Sequence, residues 1–366
     1  MIGDTIGVEE EYHLVDPETA ALKNCPQLSA RALAGSLGDR LRPEMLNSQL
    51  EAATPVCADL DQLRRAIVDM RRQASSAAAE AGAAILATST HPFARLGEIE
   101  IMSRPRYDLL RRRFRALLGE FNLCGCHVHV SVPSLDVAVR VMSLARPYLP
   151  TLSALTGSSP FHESLDTGYE SFRLMWLALW PQGGAPPPLD SAQTYRQTVK
   201  TMIEVGVIGD PSEVLWDIRP SEKYPTLEFR AADVCTDLDD VVVYAALVRS
   251  LARVLGERAA ADPVRPGVAD PVLRAARWRA ARHGLSEMLW SPSRNQLVPA
   301  SIAVRDLLAE LRVDLERRDE YVMVDELLTQ LLTRGTSASR QRRDFAATHD
   351  LTVATRRSVE LSGALS

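Results

Sequence analysis

Three consecutive carboxylates, Glu9, Glu10 and Glu11, stand inside an otherwise apolar segment, TIGVEEEYHLV (5–15). The segment reads as a strand. Alternate side chains of a strand share a face, so Glu9 and Glu11 point one way with Gly7. Glu10 points the other way with Val8 and Tyr12. Two like charges on one strand face repel unless something positive lies between them. A hard divalent cation such as Mg²⁺ supplies that charge and prefers oxygen ligands. Taken alone, the segment also fits a solvent-facing edge strand.

Two further segments repeat the device. In LCGCHVHVSVP (123–133), His127 and His129 share a face, and Cys124 and Cys126 lie opposite with Val128 and Val130. This parity argues against a C-x-C-H-x-H zinc site, because a regular strand cannot bring all four side chains onto one ion. The spacing also misses the usual structural-zinc pattern. In TLEFR, Thr226, Glu228 and Arg230 alternate with Leu227 and Phe229, and WDIRP upstream repeats the pattern with Asp217 and Arg219. An acid beside a guanidinium reads either as an ion pair or as a metal ligand next to a phosphate clamp. A fourth segment, LNSQLEAATP, contributes Glu51 and reads as a short helix. There Asn47 shares a face with Glu51, and Glu44 lies two turns back.

Around these motifs the chain reads as mixed. Helices are expected at 28–40, 60–86, 105–121, 135–157 (broken near Pro147 and Pro150), 191–206 and 237–259. Strands are expected at 5–15, 86–93, 123–133 and twice within 214–233. The part from about 260 to 366 reads as mostly helical, with turns near 261–271 and 291–295. The class is therefore α+β, an antiparallel-rich sheet with helices outside it. The length of 366 residues suggests two domains, and QGGAPPPLD (182–190) could be a boundary. Polar motifs on both sides of that loop favour one composite site, hence a single catalytic domain over 1–366.

Composition narrows the function classes. Lys plus Arg number 42 against 47 Asp plus Glu, a net charge of −5, which lacks the basic footprint of a nucleic-acid binder. The five cysteines are scattered and form no disulfide framework. No apolar run is long enough for a membrane helix, and the acidic N-terminus does not look like a leader. A cytoplasmic protein with neither nucleic-acid nor membrane partners is expected.

As a set, the motifs resemble glutamate–cysteine ligase family 2, the carboxylate–amine ligases. The residues carrying the resemblance are GVEEEYHLVD (7–16), SQLEAATPVC (48–57), THPF (90–93), GCHVHVSVP (125–133), SPF (159–161), SFRLMWLALWP (171–181), WDIRPSEKYPTLEFRAADV (216–234) and RHGL (282–285). RRDF (342–345) resembles the family's C-terminal tail. The resemblance implies the glutamine-synthetase catalytic fold, in which an antiparallel sheet forms a funnel backed by helices. It implies ATP and two or more Mg²⁺ ions, with Mn²⁺ as an alternative, and amide formation through an acyl phosphate with release of ADP.

Carried over residue by residue, Glu9, His127 and Glu228 resemble metal ligands near the ATP phosphates. Glu11 and Glu51 resemble ligands of a metal nearer the substrate carboxylate. Arg230 resembles the contact to the transferring phosphate, with Arg173 and Arg219 as further catalytic contacts. Arg230, His129 and Thr226 are expected to face the nucleotide. The family often has another acid just upstream of the Glu51 position; here the nearby residues are Asn47 and, further off, Glu44. The implied partners are a small-molecule acid and an amine, glutamate and cysteine or a pair from a specialised pathway, and a homo-oligomer of two or more copies. A non-catalytic ATP-binding relative and a kinase acting on the same funnel are the alternatives.

Overall fold

The alternation in the first strand organises the sheet. In the computed structural model, which describes residues 2–119, 121–261 and 267–363, β1 (Ile6–Val15) buries Val8, Glu10, Tyr12 and Leu14 and leaves Gly7, Glu9 and Glu11 half-exposed on the other face. The remaining strands of the seven-stranded sheet are β2 (Leu41–Pro43), β3 (Gln49–Ala53), β4 (Ala84–Leu86), β5 (Gly125–Ser131), β6 (Ile218–Pro220) and β7 (Thr226–Asp233). They run in the order β6–β7–β5–β1–β3–β2, with β4 pairing the end of β1. Every pairing within this sheet is antiparallel. The class is α+β, as expected.

Helices surround the sheet. They include α1 (Leu60–Glu80), α2 (Pro105–Phe114), α3 (Leu135–Ala145), α4 (Phe172–Leu177), α5 (Leu238–Ala261), α6 (Asp270–His283), α7 (Ala300–Glu316), α8 (Tyr321–Arg334), α9 (Ser337–Thr348) and α10 (Leu351–Gly363). Asp59 caps α1, accepting from the Gln62 N–H at 2.7 Å. Helices α1 and α5 pack together behind β1, β3 and β5. Cys124, Cys126, Val128 and Val130 are buried in this apolar layer, as the parity of their strand requires.

Glu10 faces the same layer and is fully buried. Its carboxylate receives Nε and Nη2 of Arg71 on α1 at 2.9 and 2.6 Å and the Tyr12 hydroxyl at 2.7 Å. Arg71 also donates to the carbonyls of Cys235 and Thr236, beyond the end of β7, at 2.7 and 2.8 Å. The C-terminal tail is tied in by Arg342, which bonds Glu170 at 2.6 Å and Asp166 at 2.8 Å.

Several local expectations are corrected. Glu51 lies on β3, not on a helix. Gln49, Glu51 and Ala53 alternate with Leu50 and Ala52, which are 1% and 0% exposed. Ala, Leu and Glu favour helix in isolation, but the free edge of β1 supplies a ladder and period-two burial decides. The first helix spans only Pro26–Leu33. The 60–86 helix ends at Glu80, leaving Ala84–Leu86 as β4, so the 86–93 segment starts as a strand earlier and loses regularity sooner. The basic helix expected over 105–121 breaks at Arg115, whose φ is +50°. Residues 288–299 contain a hairpin, Met288–Ser291 with Gln296–Pro299, around the turn expected there. The turn near 261–271 lies partly outside the described residues, at 262–266. The expected break of the 135–157 helix is present, with Arg146–Tyr148 in a 3₁₀ turn.

The THPF motif proves structural. His91 is buried; its Nε2 meets the Ala20 carbonyl at 2.9 Å, and its Nδ1 accepts from the Ala94 N–H at 2.9 Å. A carbonyl cannot donate, so this geometry selects the neutral ring with its proton on Nε2. Burial pushes the His91 pKa down to about 4 from an ordinary 6.5.

Two stability outcomes follow. Arg71→Met leaves Glu10 buried without its cation and should lower the unfolding free energy in urea by about 3–5 kcal/mol; a loss below ~1 kcal/mol would show that the pair does not hold the layers together. For His91, the folded pKa lies below the unfolded one, so the unfolded chain binds the extra proton. The stabilisation is complete above pH 6.5 and is lost as the pH falls toward 4, worth about 3 kcal/mol. Urea titrations between those limits should show this acid loss reduced in His91→Asn.

Candidate active site

The face of the sheet opposite Glu10 and the cysteines lines a cavity of about 410 Å³. Strand register decides which polar groups meet there. Glu9 pairs with His127 and Glu11 with Glu51 across β1, while Glu228 pairs with His129 and with Arg219. Glu9, Glu11, Glu51, His127, His129, Arg173, Arg219, Glu228 and Arg230 all line the cavity. Of the ten residues singled out from the sequence, Thr226 alone is not in that lining.

The acids form two groups. In the first, Glu9, His129 and Glu228 offer ligand atoms within 4.8 Å of one another. His129 Nε2 stands 3.4 Å from Glu9 and 4.0 Å from Glu228, and His127 Nδ1 stands 3.9 and 3.8 Å from the same two carboxylates. Thr226 acts behind this group. Its hydroxyl meets His129 Nδ1 at 2.9 Å and turns Nε2 toward the acids, the kind of support that fixes a ligand's orientation. That Nε2 is buried and has no hydrogen-bond partner.

The second group is Glu11, Glu44 and Glu51, again within 4.8 Å. Glu44 thus supplies the third acid, while Asn47 is turned away and donates to Glu100 at 3.0 Å. Glu11 is held by the Gly125 N–H at 2.6 Å.

Charge is distributed unevenly between them. Burial works to raise the Glu228 pKa, but Arg230, Arg219 and the two histidines outweigh it and hold the carboxyl well below the usual range. Glu9 is likewise held low against burial by His127 and His129. In the second group, burial and then the Glu11 charge push Glu44 up to about 8. Burial, Glu9 and Glu44 push Glu51 well up. Three carboxylates share that space with little positive charge, a donor set that fits a hard divalent cation. The unpartnered His129 Nε2 between two carboxylates fits a second one.

The arginines divide by role. Arg230 bonds Glu228 and lines the cavity. Arg219 Nε donates to Glu228 at 2.9 Å, and its Nη1 holds the Ser212 carbonyl at 2.7 Å. Arg173, on α4, is largely committed to backbone. It donates to the carbonyls of Arg230 and Ala232 at 3.1 Å each, where the β5–β7 register shifts. It passes so close over Gly125 that any larger residue there would have to displace its guanidinium. Arg42 was not singled out from the sequence. Its Nη1 lies 3.5 Å from Glu51 and 3.7 Å from Glu9, between the two groups. Only its two-residue spacing from Glu44, just beyond the end of β2, could have hinted at it.

The fold has solved counterparts. A glutamate–cysteine ligase from Francisella tularensis, solved in complex with AMP, superposes with a TM-score of 0.73 at 13% identity, covering 99% of this chain and 89% of that one. At that identity the likeness shows the fold, a glutamine-synthetase-like ligase architecture. The sequence relatives are nearer. A protein of Salinispora arenicola provisionally named glutamate–cysteine ligase 2 is 39% identical over 342 residues, 93% of this chain and 89% of its own length. One from Mycolicibacterium vanbaalenii, provisionally named glutamate–cysteine ligase 2-2, is 38% identical over 351 residues, 95% and 94% of the two chains. The profile of glutamate–cysteine ligase family 2 matches residues 5–359. The chain belongs to that family, whose members are carboxylate–amine ligases. Among the described residues no helix is long and apolar enough to cross a membrane.

The geometry separates Glu44 from Asn47. Glu44→Gln should weaken Mn²⁺ binding, followed by electron paramagnetic resonance, by about tenfold or more. Asn47→Ala should leave it within ~2-fold of the parent. Equal losses in both would remove Glu44 from the ligand set.

Proposed function

We propose that the chain is an ATP-dependent carboxylate–amine ligase that works through an acyl phosphate, with residues 1–366 acting as one catalytic domain. The observation that carries this reading is the pair of acid groups side by side on one sheet face, with Arg42 between them and Arg230 beside Glu228. Glu9, His129 and Glu228, with His127 adjacent, would hold one Mg²⁺. Glu11, Glu44 and Glu51 would hold another. Bound there, the ions neutralise the triphosphate and the transferring phosphoryl group.

The chain's own residues do the rest. A carboxylate oxygen of the acid bonds the γ-phosphorus as the β–γ bridging bond breaks, and ADP leaves. Arg230 and Arg219 are fixed charges beside the path of the phosphoryl group and favour the charge that builds up on its oxygens. Their positions are held by Glu228, so little reorganisation is needed. The amine nitrogen then bonds the acyl carbon, the carbon–oxygen bond to phosphate breaks, and the nitrogen sheds a proton. Arg173 serves as a positioning residue that holds the bulge carrying Arg230. Glutamate and cysteine are the pair suggested by the relatives' names.

ADP release with ATP and Mg²⁺ across a panel of acids, using hydroxylamine as the amine, tests this reading. A hydroxamate marks an activated acyl group. A stable phosphorylated product without hydroxamate would point to a kinase instead. Glu228→Gln should lower hydroxamate formation by about 100-fold or more. A variant that retained full turnover would remove Glu228 from the machinery.

A further inference from the structure

The cavity has two unlike halves. Beside β5 and β7 it is charged. Beyond Glu44 it is walled by Phe114, Leu118, Phe121, Leu123, Leu177 and Trp180. Phe114 and Phe121 flank the Trp180 ring at centroid distances of 4.5 and 5.1 Å. Met45, which follows Glu44, belongs to the same apolar cluster. Leu123 lies two residues before Gly125, whose N–H holds Glu11. The apolar half therefore adjoins the Glu11–Glu44–Glu51 group. The Glu9–His129–Glu228 group lies at the other end, where Tyr224 packs edge-on to His129 at 6.1 Å.

Two polar atoms on cavity-lining residues of this half lack partners. Trp180 Nε1 and Gln182 Oε1 have none, on side chains only 5% and 1% exposed. Both atoms are themselves closed off from the cavity, so the polar groups behind this wall do not face a ligand.

The charges in this half are equally specific. The ammonium group of an α-amino acid such as glutamate is met best by a free carboxylate. Among the described lining residues, Glu44 belongs to the acid group and Glu213 is taken by Arg113 and the Gly209 N–H. Asp217 is taken by Arg277 at 2.7 Å, and Glu222 stands beside Tyr224 at the far end. The charged groups that α2 and its N-cap bring to the lining are Arg104 and Arg106.

We propose that this half of the cavity binds the apolar body of the acid substrate, an aryl or branched-alkyl carboxylic acid without an α-ammonium group. Its carboxylate is turned toward Arg230 and the cation that the Glu11–Glu44–Glu51 group would hold. The inference rests on the ligase reading and deepens it by assigning the substrate class. Burying an aromatic or branched side of the acid against Trp180 and its neighbours supplies the binding energy that a glutamate side chain would draw from charge.

The test uses the full chain with ATP, Mg²⁺ and hydroxylamine, comparing 3-phenylpropionate and 4-methylpentanoate with glutamate. The apolar acids should show a KM lower than that of glutamate by about tenfold or more. Phe121→Arg replaces a half-buried wall residue. It should raise the KM for 3-phenylpropionate about tenfold while kcat stays within ~2-fold. Thermal unfolding, followed alongside, should show 3-phenylpropionate raising the midpoint of the parent chain and not that of the variant. Hydroxamate from glutamate in preference to both apolar acids would overturn the inference and leave the ligase reading standing. Stabilisation by 3-phenylpropionate without hydroxamate from any acid would overturn the ligase reading and keep the chamber. Neither turnover nor stabilisation with the apolar acids would overturn the inference outright.

Discussion

The ion pair between Glu10 and Arg71 ties the faces of this molecule together. Both side chains are essentially inaccessible to solvent. A buried charge is tolerable only when paired and hydrogen-bonded, and Glu10 meets that demand with two bonds from Arg71 and one from Tyr12. Arg71 carries the tie from α1 to the carbonyls beyond β7. With Glu10 committed to the helical side, strand geometry leaves Glu9 and Glu11 the opposite side. A one-residue slip of β1 would exchange the faces. It would bury Glu9 and Glu11 in the apolar layer and take one acid from each of the two cavity groups.

On that opposite side the two acid groups are electrostatically unlike. Glu9 and Glu228 are held ionised by two histidines and two arginines. Glu44 and Glu51 have too little positive charge near them and hold their protons more tightly. The second group therefore has more to gain from an external cation. Arg42 spans the gap between them, and Arg173 holds the bulge from which Arg230 projects. Protein-borne charge meets the first group, and the proposed cation would meet the second.

Much of this was legible because strand parity is a local rule. The paired faces of Glu9 with Glu11, of His127 with His129, and of Glu228 with Arg230 follow from alternation alone. So do the burial of Cys124 and Cys126 and the opposite orientation of Glu10. The helix read around Glu51 failed because Leu-Glu-Ala-Ala is good helix sequence, and the free edge of β1 that recruits it is 40 residues away in the chain. Thr226 alternated correctly, yet its hydroxyl turns to His129 and not to the cavity. Glu44 was noticed but placed on the wrong element.

The sequence by itself determined which side chains share a face, because two-residue periodicity is a property of the backbone and needs no partner. It also determined the family, through motifs spread over most of the chain. Only the tertiary structure decided which faces meet. Pairing Glu11 with Glu51 and Glu228 with His129 depends on register between distant segments. Bringing Arg42 between the acid groups depends on the β2–β3 pairing. The aromatic wall is assembled from Phe114, Phe121 and Trp180, none of which shares a periodic element with another. Such contacts follow from the packing of whole layers, so no local pattern in the chain encodes them.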